Sequence, residues 1–113
     1  MRDDGERLLD ILDAIRQIEK YAVRGFDAFS QNELIQVWFT RHLQIIGEAA
    51  RSLSSNLTDK YPAVPWGEII GLRNVLVHNY FEIDLEVVWG IVQDDLPPLK
   101  KQVETILRDL GAG

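Results

Sequence analysis

The chain has 113 residues, 12 Lys and Arg against 18 Asp and Glu for a formal net charge of −6, and no cysteine. That length predicts a single domain over residues 1–113 with a modest core. The missing cysteines exclude disulfides, thiolate nucleophiles and Cys-based zinc sites, and the acidity argues against indiscriminate nucleic-acid binding while leaving room for a local basic patch.

The opening "MRDDGERLLDILDAI" lacks a basic region followed by an apolar run, so no signal peptide is expected. No apolar stretch approaches the roughly 20 residues needed to span a bilayer. The expected location is the cytoplasm, with no membrane partner. The first helix is predicted from about Asp4 to Val23, where Leu8, Leu9, Ile11, Leu12, Ile15 and Ile18 recur at helical spacing. "RGFDAF" breaks the pattern at Gly25. A second helix starts near Ser30 as N-cap, with Glu33 completing a capping box. Its apolar positions are Leu34, Val37, Trp38, Leu43, Ile45, Ile46 and Ala49. "SSNLTDKYPAVP" reads as a loop.

A third helix begins around Pro65, since proline suits a first turn, and runs to Tyr80 or Phe81. Asp84 caps a fourth, "LEVVWGIVQDDLPPLKKQVETILRDL", which Pro97 and Pro98 kink or interrupt. No segment alternates with a two-residue period. The fold class is therefore all-α: an up-and-down bundle of four to five helices.

The third helix carries "LRNVLVHNYF", residues 72–81. At about 100° per residue, Ile69, Leu72, Val75 and Leu76 share the arc that faces the core. Arg73 and Tyr80 nearly superpose, and Asn74 and His78 are neighbours on another flank. Between the two flanks lie Ile70, Val77 and Phe81, a second apolar seam. Such a seam points to a partner helix, most simply a symmetry mate. Arg73 and His78 are roughly 140° apart on one helix. Either the arginine reaches round, or a dimer brings one chain's Arg to the other chain's His.

Histidine exchanges protons near neutral pH, and arginine offers a planar cationic fork matched to phosphate oxygens. A proton shuttle beside a phosphate clamp suits transesterification of RNA, in which the 2′-OH attacks the adjacent phosphate with no metal or other cofactor. Taken alone, an R-x-x-x-x-H pair also fits structural roles: His78 as a hydrogen-bonded interface histidine, Arg73 as an ion-paired surface residue, Tyr80 as a helix-end aromatic. Glu48 and Arg51 in "GEAAR" break the apolar face of the second helix, either orienting the motif or forming an ordinary ion pair. His42 reads as a surface or core-edge residue. Trp38, Trp66 and Trp89 read as core rather than as base-stacking platforms.

"RNVLVHNYF" resembles the signature of the HEPN superfamily, and specifically of its HepT branch: Arg73, a polar Asn74, His78 four residues further on, and Tyr80. "LLDILDAIRQIEKY", "IIGEAARSLS" and "YPAVPWGEIIGLRNVLVHNYFEIDLEVVWGIVQDDLPPL" are similar to that branch as well. The resemblance implies a homodimeric, metal-independent ribonuclease of a toxin–antitoxin system, dimerising through the motif helix. In it Arg73 and His78 are catalytic, Asn74 supports them, and RNA is the substrate. It further implies an MntA-like nucleotidyltransferase antitoxin as partner, in complexes that include higher hetero-oligomers, and Tyr80 as the residue that this partner AMPylates. Arg41, Arg51 and Lys60 are candidates for the RNA-binding surface. A rival reading is a non-catalytic helical module that binds a nucleotidyltransferase.

Overall fold

The computed structural model describes residues 3–78 and 84–112, with side chains for all of these except 74–78 and 112. The described residues form helices joined by short turns and loops, with no strand among them. The first helix, α1 (Asp4–Ala22), is capped by the Asp3 carboxylate, which accepts from the Glu6 N–H. Leu8, Ile11, Leu12, Ala14, Ile15 and Ile18 form its buried stripe, whereas Leu9, expected inside, is 54% exposed.

Where a break was expected at Gly25, the chain instead begins a second short helix, α2 (Gly25–Gln31). Gly25 takes φ +88, a left-handed conformation that a side chain would disfavour. That residue turns the chain sharply enough for Phe29 to enter the core fully buried. The N-cap of the next helix, α3 (Glu33–Arg51), is Asn32 rather than Ser30. The Asn32 side chain accepts from the N–H groups of Leu34 and Ile35, while the Ser30 hydroxyl donates back to the Asp27 carbonyl within α2.

Of the apolar positions expected in α3, Leu43, Ile46 and Ala49 are buried and Trp38 and Ile45 pack against the core, but the first two turns differ. Ile35, Phe39, Leu43, Ile46 and Ala50 face the core, while Leu34 is 80% and Val37 56% exposed. The expected loop after α3 holds a single-turn helix, α4 (Ser55–Lys60), capped by Ser54. Ser54 in turn donates to the Asp4 carboxylate at 2.6 Å, tying this segment to the start of α1.

The motif-bearing helix is α5 (Trp66–His78). Asp84 caps α6 (Leu85–Gly90), as its spacing predicts. A π-helical segment, Ile91–Asp95, then widens the turn, with the Leu96 N–H reaching back five residues to the Ile91 carbonyl. The widening falls directly before Pro97 and Pro98, which open the last helix, α7 (Leu96–Leu107). A proline there withdraws a backbone donor, and the wider turn accommodates the loss. Gly111, at φ +78, ends the helical run.

The long helices stack in the order α5, α3, α1, α7, with α3 packed along α5 on one side and α1 on the other. The tryptophans belong to this packing. Trp38 donates from Nε1 to the Gln17 carbonyl of α1 at 2.8 Å, and Trp66 to the Tyr61 carbonyl at 3.0 Å. Trp89 stacks on Phe29 and Phe39. No helix among the described residues is long and apolar enough to cross a membrane.

Candidate active site

The site is built where α3 and α5 pack against each other, at a close backbone approach. Gly47 is a buried residue in the interior of α3, a position where glycine costs about 1 kcal/mol relative to alanine. The reason lies across the interface. A Cβ at position 47 would meet the Arg73 backbone nitrogen at 2.8 Å, its Cβ at 3.0 Å and its Cα at 3.3 Å. The missing side chain lets the two helix backbones touch, and the residue they touch at is Arg73.

The next residue on α3 meets the other end of the same arginine. A Glu48 carboxylate oxygen pairs with Arg73 Nε, the side chains being 53% and 35% exposed. Both are therefore surface groups. Of the two roles open to Glu48, an ion pair and an influence on the motif, the pairing is with the motif arginine itself. The sequence carried a signal for Gly47, a glycine within an otherwise helical apolar pattern, but the residue that approaches it lies 26 positions away in the chain, and only the tertiary fold identifies it.

Beside Glu48 lies an open depression of about 240 Å³, with Arg7, Asp10 and Arg41 among its lining. Of the three candidate RNA-contacting cations, Arg41 is thus placed next to Glu48. Arg51 at the end of α3 and Lys60 at the end of α4 are both exposed, with Lys60 over the Tyr61 ring. His42 stays at the core edge, its Nδ1 2.7 Å from the Trp38 carbonyl and its ring against that indole.

The backbone of α5 runs through Asn74 to His78. The side chains of Asn74 and His78, and those of Val75, Leu76 and Val77 in the expected core and partner faces, lie outside the described residues. So do the whole of Tyr80 and Phe81. Within the described part of the motif helix, Ile69 is buried as expected and Leu72 is half-buried. Ile70, assigned to the partner seam, is half-buried against the core. Helical geometry sets His78 roughly 7.5 Å along the axis from Arg73 and about 140° round it. Among the described residues no cluster of three or more His, Asp or Glu side chains could hold a metal ion.

Comparison with known proteins gives this arrangement a context. No solved structure matches the chain significantly. It is similar to a Methanocaldococcus jannaschii protein named "Putative RNase MJ1380", with 40% identity over 93% of this chain and 97% of that one. A second protein of that organism, "Putative RNase MJ0127", is 36% identical over 91% of this chain and 86% of its own length. The "Probable ribonuclease HepT" of Thermococcus cleftensis is 34% identical over 93% of this chain and 96% of its own. Residues 11–106, which include α3, α5 and the whole Arg73-to-Tyr80 motif, match the family described as "Ribonuclease HepT-like", and the chain belongs to that family.

Proposed function

We propose that the chain is a HEPN-type endoribonuclease that cuts RNA by 2′-OH transesterification, with Arg73 and His78 as its catalytic residues. The observation that carries this reading is the motif's setting: Arg73 stands at a close backbone contact of α3 with α5, on the same helix as His78, in a chain of the HepT-like family. The His78 imidazole takes the proton from the ribose 2′-OH. The 2′ oxygen then bonds to the adjacent phosphorus while the P–O5′ bond breaks, and the departing 5′ oxygen receives a proton from an imidazolium. Arg73 binds the phosphate oxygens and neutralises the charge that grows on them. Asn74 supports the pair by hydrogen bonding.

The separation of Arg73 and His78 around α5 favours a homodimer in which two such helices line one groove, each chain contributing a complete single domain. The reading extends to a toxin silenced by an MntA-like nucleotidyltransferase, which transfers AMP groups from ATP to Tyr80. Tyr80 falls seven residues after Arg73, on the same side of an ideal helix. Added phosphates there would engage the arginine and fill the RNA path.

The test is RNA cleavage by purified protein in EDTA. We expect products ending in a 2′,3′-cyclic phosphate, no cleavage by His78→Ala, and loss of cleavage after treatment with the partner and ATP, with Tyr80→Phe resistant to that silencing. Undiminished cutting by His78→Ala, or a strict need for magnesium, overturns the mechanism. Formation of a complex with the nucleotidyltransferase while RNA stays intact at every enzyme concentration supports the binding-module reading instead.

A further inference from the structure

We propose that Gly47 and Glu48 form a seat for Arg73, and that Glu48 is a positioning residue for RNA cleavage; this rests on Arg73 being the phosphate-binding group. Two consecutive residues of α3 address the two ends of one arginine. Gly47 fixes where its side chain starts, because the Arg73 backbone lies against the missing Cβ. Glu48 fixes where the guanidinium ends, by pairing with Nε. An arginine side chain has four rotatable bonds, and an unheld one samples many positions. A carboxylate on Nε leaves the outer Nη1–Nη2 edge of the fork for a second anion. That edge is the one suited to two phosphate oxygens.

Stability alone is a poor account of the pair. Both side chains are more than one-third exposed, and ion pairs in that setting add little. Electrostatics separates the two roles. Glu48 puts a negative charge beside the proposed RNA path, so removing it weakens no attraction between protein and RNA and relieves some repulsion. If the carboxylate only decorated the surface, RNA would bind the variant as well or better and be cut as fast. If it holds Arg73 in place, the chemical step slows while binding does not.

The experiment compares wild type, Glu48→Ala, Glu48→Gln, Arg73→Ala and the Glu48→Ala/Arg73→Ala double variant on a single-site RNA oligonucleotide. In parallel, the Arg73 Nε–H signal is followed in ¹⁵N spectra of the full chain, identified by its loss in Arg73→Ala. Glu48→Ala is expected to lower kcat about tenfold to a hundredfold, the scale of a small misplacement of a reacting group, with KM unchanged or lower. Glu48→Gln, which keeps an oxygen acceptor for Nε–H, loses less. In the double variant, the Glu48 change costs nothing beyond Arg73→Ala. The Nε–H signal moves and exchanges faster with water in Glu48→Ala. An unchanged or higher kcat in Glu48→Ala overturns the proposal, as does an unchanged Nε–H signal. If the wild type cuts no RNA, the nuclease reading falls, and the Nε–H signal alone decides whether Glu48 seats Arg73.

Discussion

Glu19 on α1 reaches Lys100 on α7, and Glu48 on α3 reaches Arg73 on α5. Both pairs bridge neighbouring helices, and their exposures are alike: 46% and 29% in the first, 53% and 35% in the second. They differ in what stands beneath them. Lys100 Nζ sits between the two Glu19 oxygens at 3.0 and 3.1 Å, a compact cation on a flexible stem. Arg73 is instead pinned at its backbone by Gly47 before its side chain meets a carboxylate. Equal exposure with unequal anchoring shows why a count of surface ion pairs says little about function. What distinguishes the second pair is that the fold has given up a side chain in a helix interior to bring its arginine close.

The contrast breaks most sharply at Arg73. Replacing it with alanine is expected to slow RNA cleavage by about 10²–10³-fold, the usual effect of losing one group that stabilises charge in a transition state. Arg73→Lys should recover little of this, because lysine has neither the planar fork nor an Nε–H for Glu48 to hold. The measurement is single-turnover cleavage of an RNA oligonucleotide, and near-wild-type rates from Arg73→Lys would reduce the arginine to a simple positive charge. Gly47→Ala comes next. Its methyl group would press on backbone atoms, which cannot rotate away, so α3 and α5 must separate. Overpacking of this kind costs about 1–3 kcal/mol, and each kcal/mol lowers the Tm of a domain this size by roughly 4 °C. Thermal melts read this loss of stability, and cleavage assays read the accompanying displacement of Arg73. A Gly47→Ala protein as stable and as active as wild type would mean that the contact is looser than the structure shows.

How much of this could be read before the fold was known depends on the range of the interaction concerned. Helical spacing of Ile11, Leu12, Ile15 and Ile18 marks α1 because the signal is local and repeated. Asp84 is recognisable as a cap because capping involves only the next three residues. The N-cap of α3 lies two residues beyond the one its spacing suggests because Ser30 and Asn32 are both good caps. The choice between them depended on α2, a helix too short to show a period. Helical spacing alone fits more than one face at the start of α3, so it admits Leu34 and Val37; Phe39 takes the inner face because Phe29 and Trp89 stack on it there. The motif was visible as residue types in order. Its support by Gly47 and Glu48 was not, since nothing in "GEAAR" states which helix it will face.

Two smaller effects sharpen the comparison from the other side. Gly67, in the first turn of α5, is exposed, and a Cβ there would meet nothing within 4 Å. Gly67→Ala should therefore leave Tm unchanged or raise stability by up to about 1 kcal/mol, through the unfolded chain's lost freedom, whereas the same substitution at Gly47 destabilises. Glu19→Ala is the control for the ion pairs. Removing an exposed carboxylate costs about 0–1 kcal/mol, so its melt should fall by only a few degrees, and by less in high salt, where wild type already loses the pair's contribution. Its cleavage rate should equal that of wild type, because the Glu48–Arg73 pair joins α3 to α5 and does not involve Glu19 or Lys100. Glu48→Ala has the same expected cost in stability, so the two variants are matched in everything except what their partner does. Equal losses of activity in both would mean that either pair merely holds helices together, and the special standing of Arg73 would then rest on Gly47 alone.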